Sequence, residues 1–426
     1  MACELNSSRA LGLHSWRPWG LVTACAALMA MSSGVWYTGS VFFVAFVTEF
    51  GWDYASTASI FSLFIVFYGA SSILVGHLVD RFGPRRIVLV GGVVLPLALI
   101  GSGSAQALWH LYLTHGVLSA FGLAATSYVP VSLILLHRYP AQRGLAYGVA
   151  SAGVGIGILL FVPLAQVLMD LWGWRAAYRA VAILVALVIL SVGSFVLREG
   201  RTGVGPDVGE AADGVTALAR DADPPKELTL AAALSSREFW LVTGTYVFLN
   251  GPTQMMLTHH VAYLVEAGQS RILAAGIVGL VGLLSVPAKI GWGVLSDRVW
   301  LEWIYVAGGM SLVAAVLTLL AFGPASEVWL LYAYACLVAS GYAVSAALNP
   351  ILSSRFFSGP HFGVILGTLA TFYHGAAAIA VWLAGHAHDL TGNYRLPLLG
   401  SLLSICLATG CVWLAAPRRL KPHIAP

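Results

Sequence analysis

The chain has 426 residues, 59% of them hydrophobic and only 9% charged, with a formal net charge of +4. A soluble domain carries about 25% charged residues, so the composition excludes an ordinary water-soluble domain and makes the bilayer the expected solvent. The basic residues sit in separate short loops, which excludes a nucleic-acid-binding surface.

A membrane-spanning helix needs roughly 20 apolar residues. Apolar runs predict six helices at about 19–46, 56–78, 87–106, 110–136, 144–169 and 176–197. The first run is too long for the apolar region of a signal peptide and counts as a span. Residues 199–237 are rich in Gly, Pro, Asp and Arg and read as a hydrophilic linker. Six further helices follow at about 239–264, 272–296, 303–323, 327–352, 363–387 and 396–415. The expected fold is an all-α membrane protein of twelve transmembrane helices in two six-helix bundles, 1–198 and 238–426, joined by the 199–237 linker.

Orientation follows from Lys and Arg, which concentrate in cytoplasmic loops. With the N-terminus in the cytoplasm, Arg81, Arg85, Arg86, Arg138, Arg143, Arg298, Arg355, Arg418, Arg419 and the linker's basic residues share that side. The outer loops then hold Arg175, Arg179, Arg271 and Arg395. Both termini and the linker are expected in the cytoplasm. Cys3, Cys25, Cys336, Cys406 and Cys411 are scattered and read as packing thiols, with neither a disulfide framework nor a metal site.

One motif occurs twice. Gly76-His77-Leu78-Val79-Asp80-Arg81 reappears as Gly293-Val294-Leu295-Ser296-Asp297-Arg298, each copy closing an apolar run. Duplication implies two related halves with the working site where they meet. Lys289 is the only Lys, Arg, Asp or Glu well inside a predicted span. A charge at the centre of a bilayer costs about 2.5–3.5 kcal/mol on insertion scales. Two readings remain open. Lys289 lies about 10 Å from the helix end at 1.5 Å per residue, within partial reach of a snorkelling stem; or it pairs with an anionic substrate between the halves.

Lysine offers an anion a point charge and can shed its proton when the site is empty. Histidines also suit proton relays, so Lys289, His259 and His374 are the proton-coupling candidates; His260 lies beside His259 late in the seventh helix, and His115 reads more as a packing residue. The segment His386-Ala387-His388-Asp389 lies at a membrane edge with adjacent positions diverging around a helix, so no metal is expected there. Tyr37, Tyr128, Tyr342 and Tyr373 are candidate cavity liners, with Asn349 and Thr371 behind them. Gly153-x-x-x-Gly157 reads as a close-packing motif.

The run Gly76-His77-Leu78-Val79-Asp80-Arg81-Phe82-Gly83-Pro84-Arg85-Arg86 resembles the loop between the second and third helices of the major facilitator superfamily. In this loop Gly76 permits close helix approach, and Asp80 with Arg81 and Arg85 is expected to form an ion-pair latch. Gly293, Asp297 and Arg298 repeat that gating motif. Further segments are similar to the monocarboxylate transporter branch and its bacterial oxalate/formate-exchanger relatives. These are Ser33-Gly34-Val35-Trp36-Tyr37, Thr48-Glu49-Phe50-Gly51-Trp52, Arg143-Gly144-Leu145-Ala146-Tyr147-Gly148, Gly173-Trp174-Arg175 and Asp389-Leu390-Thr391-Gly392-Asn393-Tyr394.

The resemblance implies alternating-access transport of a small organic anion, probed by Lys289 where the branch carries an arginine, and it favours Tyr37 and Tyr128 as liners. It departs at Ser285, where many members place a proton-carrying aspartate, and in a first helix without the lysine of animal members. Proton symport is therefore one expectation, and anion exchange or facilitated diffusion is the alternative. Drug efflux is a further reading, weakened because a Gly-Pro-x-x-Gly-Gly run is missing from the fifth helix and because Lys289 disfavours cations. A non-transporting receptor is weakened by the short linker and tails. Paired carboxylates and Ser/His arrangements are missing from the spans, so no enzyme is expected. The expected setting is a monomer in the plasma (bacterial inner) membrane, with lipid, a small organic anion and protons as partners, no cofactor and no nucleic acid.

Overall fold

The computed structural model describes residues 17–52, 54–140, 142–196, 229–323 and 327–417, and among these residues every regular element is helical. The first half contains α1 (Arg17–Phe50), α2 (Tyr54–Phe82), α3 (Pro84–Ser102), α4 (Leu108–Arg138), α5 (143–172) and α6 (174–196). After a single turn at Leu230–Leu234 come α7 (Arg237–Glu266), α8 (Arg271–Ser296), α9 (Leu301–Ala321), α10 (Trp329–Phe356), α11 (Phe362–Thr391) and α12 (Arg395–Ala415). Most of the expected linker and both chain ends lie outside the described residues.

Two glycines make the tightest corners. Gly83 takes φ +80°, a region open to glycine at little cost, and Pro84 then starts α3 where its missing N–H is harmless. Gly173 takes φ +77° and turns α5 directly into α6, so the gap expected near 169–176 is a single residue. The fourth helix is irregular. Tyr112–Ser119 widens into a π-helical segment, and the helix breaks before Tyr128 starts its second half.

Inside the first bundle α1 lies directly on α5. A Cβ on Gly153 would strike the Ala26 backbone, and one on Gly157 would strike the Ala30 carbonyl. The Ser33 hydroxyl donates across that contact to the Val154 carbonyl at 3.1 Å. Phe42 stacks on Tyr178 of α6 with ring centroids 3.8 Å apart. In the second bundle Tyr305 of α9 donates to Asn349 Oδ1 of α10 at 2.8 Å, and the Tyr246 hydroxyl of α7 reaches the Asn349 carbonyl. The outward faces carry exposed Leu171, Leu187, Met310 and Leu403. Such faces suit lipid, which satisfies apolar surface as water cannot.

The bundles are joined by two crossed contacts. Asp80, near the end of α2, accepts from the Gly363 and Val364 amides of α11, both at 2.8 Å. Asp297, just past α8, accepts from the Gly144 and Leu145 amides of α5 at 2.8 and 3.0 Å. Each carboxylate thus satisfies two of the orphan N–H groups that every helix start leaves, at the positive end of the helix dipole. A Cβ on Gly76 would fall on the Gly363 carbonyl, and one on Gly293 on the Gly144 carbonyl, so the motif glycines allow this approach.

The contacts then run out along the helices. On α2 and α11 they pass from Gly76 to Thr371, whose hydroxyl donates to the Gly69 carbonyl, while a Cβ on Gly375 one turn further would meet nothing within 4 Å. On α5 and α8 they pass from Gly144 to Gly155, which faces Val286, while a Cβ on Gly279 would again meet nothing. The closest backbone approaches between the bundles lie at the motif end.

Two outcomes follow from this packing. Replacing a capping aspartate by alanine costs about 1–2 kcal/mol, so Asp80→Ala should raise the population with the motif end open about 5–30-fold. Electron–electron resonance distances between spin labels at the ends of α2 and α11 read this directly, and an unchanged distance distribution counts against the clamp. Gly157→Leu overpacks the α1–α5 contact at a cost of about 1–3 kcal/mol, visible as a lower melting temperature of the detergent-solubilised protein.

Candidate functional site

Lys289 lies on α8 with 0% of its surface exposed, so it does not snorkel to the motif-end boundary. Among the described residues it is the only buried Lys or Arg. Its Nζ sits 4.7 Å from the centroid of the Tyr342 ring on α10 and has no hydrogen-bond partner. A desolvated cation–π contact is worth about 2 kcal/mol, whereas stripping water from an ion costs several. The ring alone therefore leaves the ammonium under-compensated. One turn away, the Ser285 hydroxyl donates to the Gly282 carbonyl at 2.7 Å and offers no negative charge.

Aromatic residues from both bundles surround this point. Tyr37 of α1 is within electrostatic reach of Tyr342 and of Tyr373 on α11. Tyr37 itself remains 38% exposed. His374 follows Tyr373 and packs against two rings of the first bundle. Its centroid is 5.9 Å from Trp36 on α1 and 4.9 Å from Tyr68 on α2. Trp36 and Tyr68 meet edge to face at 5.0 Å. The Tyr68 hydroxyl bonds Ser127 at 3.1 Å, and the neighbouring Tyr128 lies within electrostatic reach of Tyr246 in the other bundle.

The structure thus brings Lys289, Tyr37, Tyr128, Tyr342, Tyr373 and His374 to the interface between bundles. It does not bring His259 there. That ring bonds the Tyr394 hydroxyl at 3.3 Å and the Val381 carbonyl at 3.0 Å, within the second bundle and far along α7 from the clamp. His260 is buried with Nδ1 on the Met256 carbonyl at 2.7 Å, and His115 is buried against Phe61, Phe64 and Tyr178. Asn349 is occupied by Tyr305 and Tyr246 within the second bundle, whereas Thr371 bridges to α2.

The motif aspartates also differ from expectation. The latch was expected between Asp80 and arginines, but the partners of Asp80 are main-chain amides. Arg81 instead lies over the Phe82 ring at 5.2 Å, and Arg85 Nε donates to the Gly193 carbonyl at 3.1 Å. The physical reason is geometric: a helix start presents two parallel N–H groups that fit both carboxylate oxygens, without the entropy cost of ordering a long side chain. Partial burial raises the Asp297 carboxyl above its ordinary range, while the Leu145 and Gly144 amides pull it down. A crevice beside it, lined by Trp300, Glu302 and Arg355, belongs to the clamp and not to the Lys289 cluster.

Sequence reasoning missed Tyr68 and treated Trp36 only as part of a motif. It likewise treated Gly144 only as part of a motif and missed Gly363, where a Cβ would meet Ser296 Oγ and Asp80 Oδ1 respectively. A glycine in the second position of a helix facing a motif aspartate is the signal that marks both.

The profile of the Major Facilitator Superfamily matches residues 22–381. Monocarboxylate transporter 13 of Bos taurus is 29% identical over 388 residues, covering 88% of this chain and 84% of its own length. Monocarboxylate transporter 12 of Homo sapiens is 25% identical over 409 residues, covering 89% and 77%. Among solved structures, the Major Facilitator Superfamily transporter FucP in its outward conformation superposes with a TM-score of 0.71 at 13% identity, covering 93% of this chain and 98% of that one. A bacterial homologue of the iron transporter ferroportin, in its outward-facing state, also gives 0.71 at 16% identity, covering 93% and 99%. With a match over most of its length and relatives that are transporters and not enzymes, the chain belongs to the Major Facilitator Superfamily as an integral membrane transport protein, similar to the monocarboxylate transporters.

Proposed function

We propose that this protein carries a small organic anion, a monocarboxylate, across the membrane by alternating access. The single observation that carries this reading is the Lys289 ammonium: fully buried, under one aromatic ring, and without an acceptor. An anion arriving between the bundles supplies the missing partner. Tyr37, Tyr128, Tyr342, Tyr373 and His374 enclose it. The crossed aspartate contacts act as the gate, with Gly76, Asp80, Gly293 and Asp297 at its centre and Arg81, Arg85 and Arg298 anchoring the adjoining loops. The Lys and Arg distribution favours a cytoplasmic motif end and cytoplasmic termini. On that orientation the clamped end is the inner one. The protein works as a monomer within the plasma membrane, which for a bacterial cell is the inner membrane.

Two modes of coupling remain distinct. The interior carries Ser285 where a carboxylate would take up a proton, so the proton of a symport must travel on Lys289, with His374 the nearer of the histidine candidates. If Lys289 keeps its charge throughout, the carrier exchanges one anion for another. Arginine separates the modes because it stays charged at every working pH. Lys289→Arg should preserve anion counterflow in proteoliposomes and abolish the pH dependence of net uptake; a pH dependence that survives removes Lys289 as the proton carrier.

Lys289→Ala tests the anion site itself. Losing one partner of a buried charge pair costs about 2–5 kcal/mol, or at least ~30-fold in affinity. Labelled-carboxylate counterflow should fall accordingly. Unchanged counterflow, or binding of a bulky cation that carboxylates do not displace, points instead to efflux of hydrophobic solutes.

A further inference from the structure

We infer that the crevice beside Asp297 binds the phosphate of an anionic phospholipid through Arg355 and Arg298, and that the bound headgroup steadies the motif-end contact between the bundles. The inference goes beyond the transport reading and does not depend on the cargo.

The crevice has a volume of about 120 Å³ and is lined by the turn from Ser296 to Glu302, by Arg355 at the end of α10 and by Pro417. That is several times the space one water needs. Two arginines and two acids line it, so formal charge alone does not decide what enters. The surroundings of those groups do. Asp297 has its two oxygens on α5 amides at 2.8 and 3.0 Å. Glu302 is buried in the first turn of α9, where the positive end of the helix dipole offsets a carboxylate. Both acids are thus compensated by helix starts. Arg355 is half-buried and belongs to neither of the ion pairs found among the described residues, Arg175–Glu49 and His388–Glu266. From the opposite bundle comes Arg143, next to Gly144, whose amide lies 2.8 Å from Asp297. The Arg143 Nε is buried without a hydrogen-bond partner. Guanidinium groups of like sign therefore meet at this end of the interface, from α5 and from α10, with no acid bonded to either. A phosphate accepts several N–H bonds at once and suits the planar fork of arginine.

The position of the crevice favours a lipid as the source of that phosphate. Trp300 lines it, Trp303 follows on the next turn, and both are exposed. Tryptophan concentrates at the level of lipid headgroups. Beyond Trp303 the exposed Met310 and Leu317 recur at seven-residue intervals along one face of α9, where an acyl chain can lie. Basic pockets between membrane helices bind acidic headgroups by the same chemistry. Because Asp297 borders the crevice and also caps α5, a headgroup lodged there rests against the contact that joins the bundles.

The test is equilibrium binding of dihexanoyl phosphatidylglycerol, phosphatidylethanolamine and phosphatidylcholine, and of inorganic phosphate, to the purified full-length protein. Phosphatidylglycerol should bind about tenfold more tightly than each of the other three, the scale of a charge-assisted hydrogen bond. Arg355→Gln should remove that preference, Arg355→Lys should keep part of it, and Arg143→Gln should reduce it. In nanodiscs, exchanging phosphatidylcholine for phosphatidylglycerol should shift spin-label distances between the motif ends of α5 and α8 towards the closed value, and Arg355→Gln should abolish the shift. If Arg355→Gln does not fold, Arg143→Gln and the lipid ranking of the native protein carry the test. Equal affinity for the three lipids, or a preference that survives Arg355→Gln, overturns the site. Inorganic phosphate binding as tightly as phosphatidylglycerol overturns the lipid assignment, and distances that ignore the lipid overturn the effect on the bundles.

Discussion

The relation between the two bundles depends on a carboxylate meeting the start of a helix. Asp80 and Asp297 each accept two amide hydrogens from the opposite half. The exchange is reciprocal: the second helix of each bundle caps the fifth of the other. This gives the duplicated motif a single physical meaning, and it sets where α2 meets α11 and α5 meets α8. Nearer the middle the bundles also meet where Thr371 donates to the Gly69 carbonyl and where His374 packs on Trp36 and Tyr68. The clamp is also reversible in principle, because water can replace a carboxylate at an exposed helix start at modest cost.

The middle of the protein obeys the opposite logic. Lys289 is fully buried, no acid among the described residues faces it, and its compensation is the face of Tyr342. A group left in that condition is expensive, and proteins keep such groups where a ligand completes them. The motif end is therefore satisfied by the chain itself, whereas the centre is left to be satisfied from outside. That division fits a protein whose resting state is held at one end and receptive at the other.

Much of this was legible in the sequence. The twelve helices follow from apolar runs, even for α7, the least apolar of them, which carries Asn250, Pro252, Thr253 and Gln254. Lys289 stood out because a charge inside an apolar run has no cheap explanation. What could not be read was partnership across the interface. Tyr68 looks like any aromatic residue in α2 until His374 arrives from α11. The arginines beside Asp80 were the natural expectation for a latch, because side chains have letters and main-chain amides do not. His259 illustrates the converse: its titratable ring is notable in sequence, yet in the fold Tyr394 and Val381 already occupy it.

The donors in the clamp belong to the backbone of Gly144, Leu145, Gly363 and Val364. The hydrogen bonds of closure therefore do not depend on which side chains Leu145 and Val364 carry, although burial in the core constrains Val364 separately. Only an imino acid, which has no hydrogen to give, would disarm it from that side. The burden of inheritance falls on the two acceptors and on the glycines that let the helices touch.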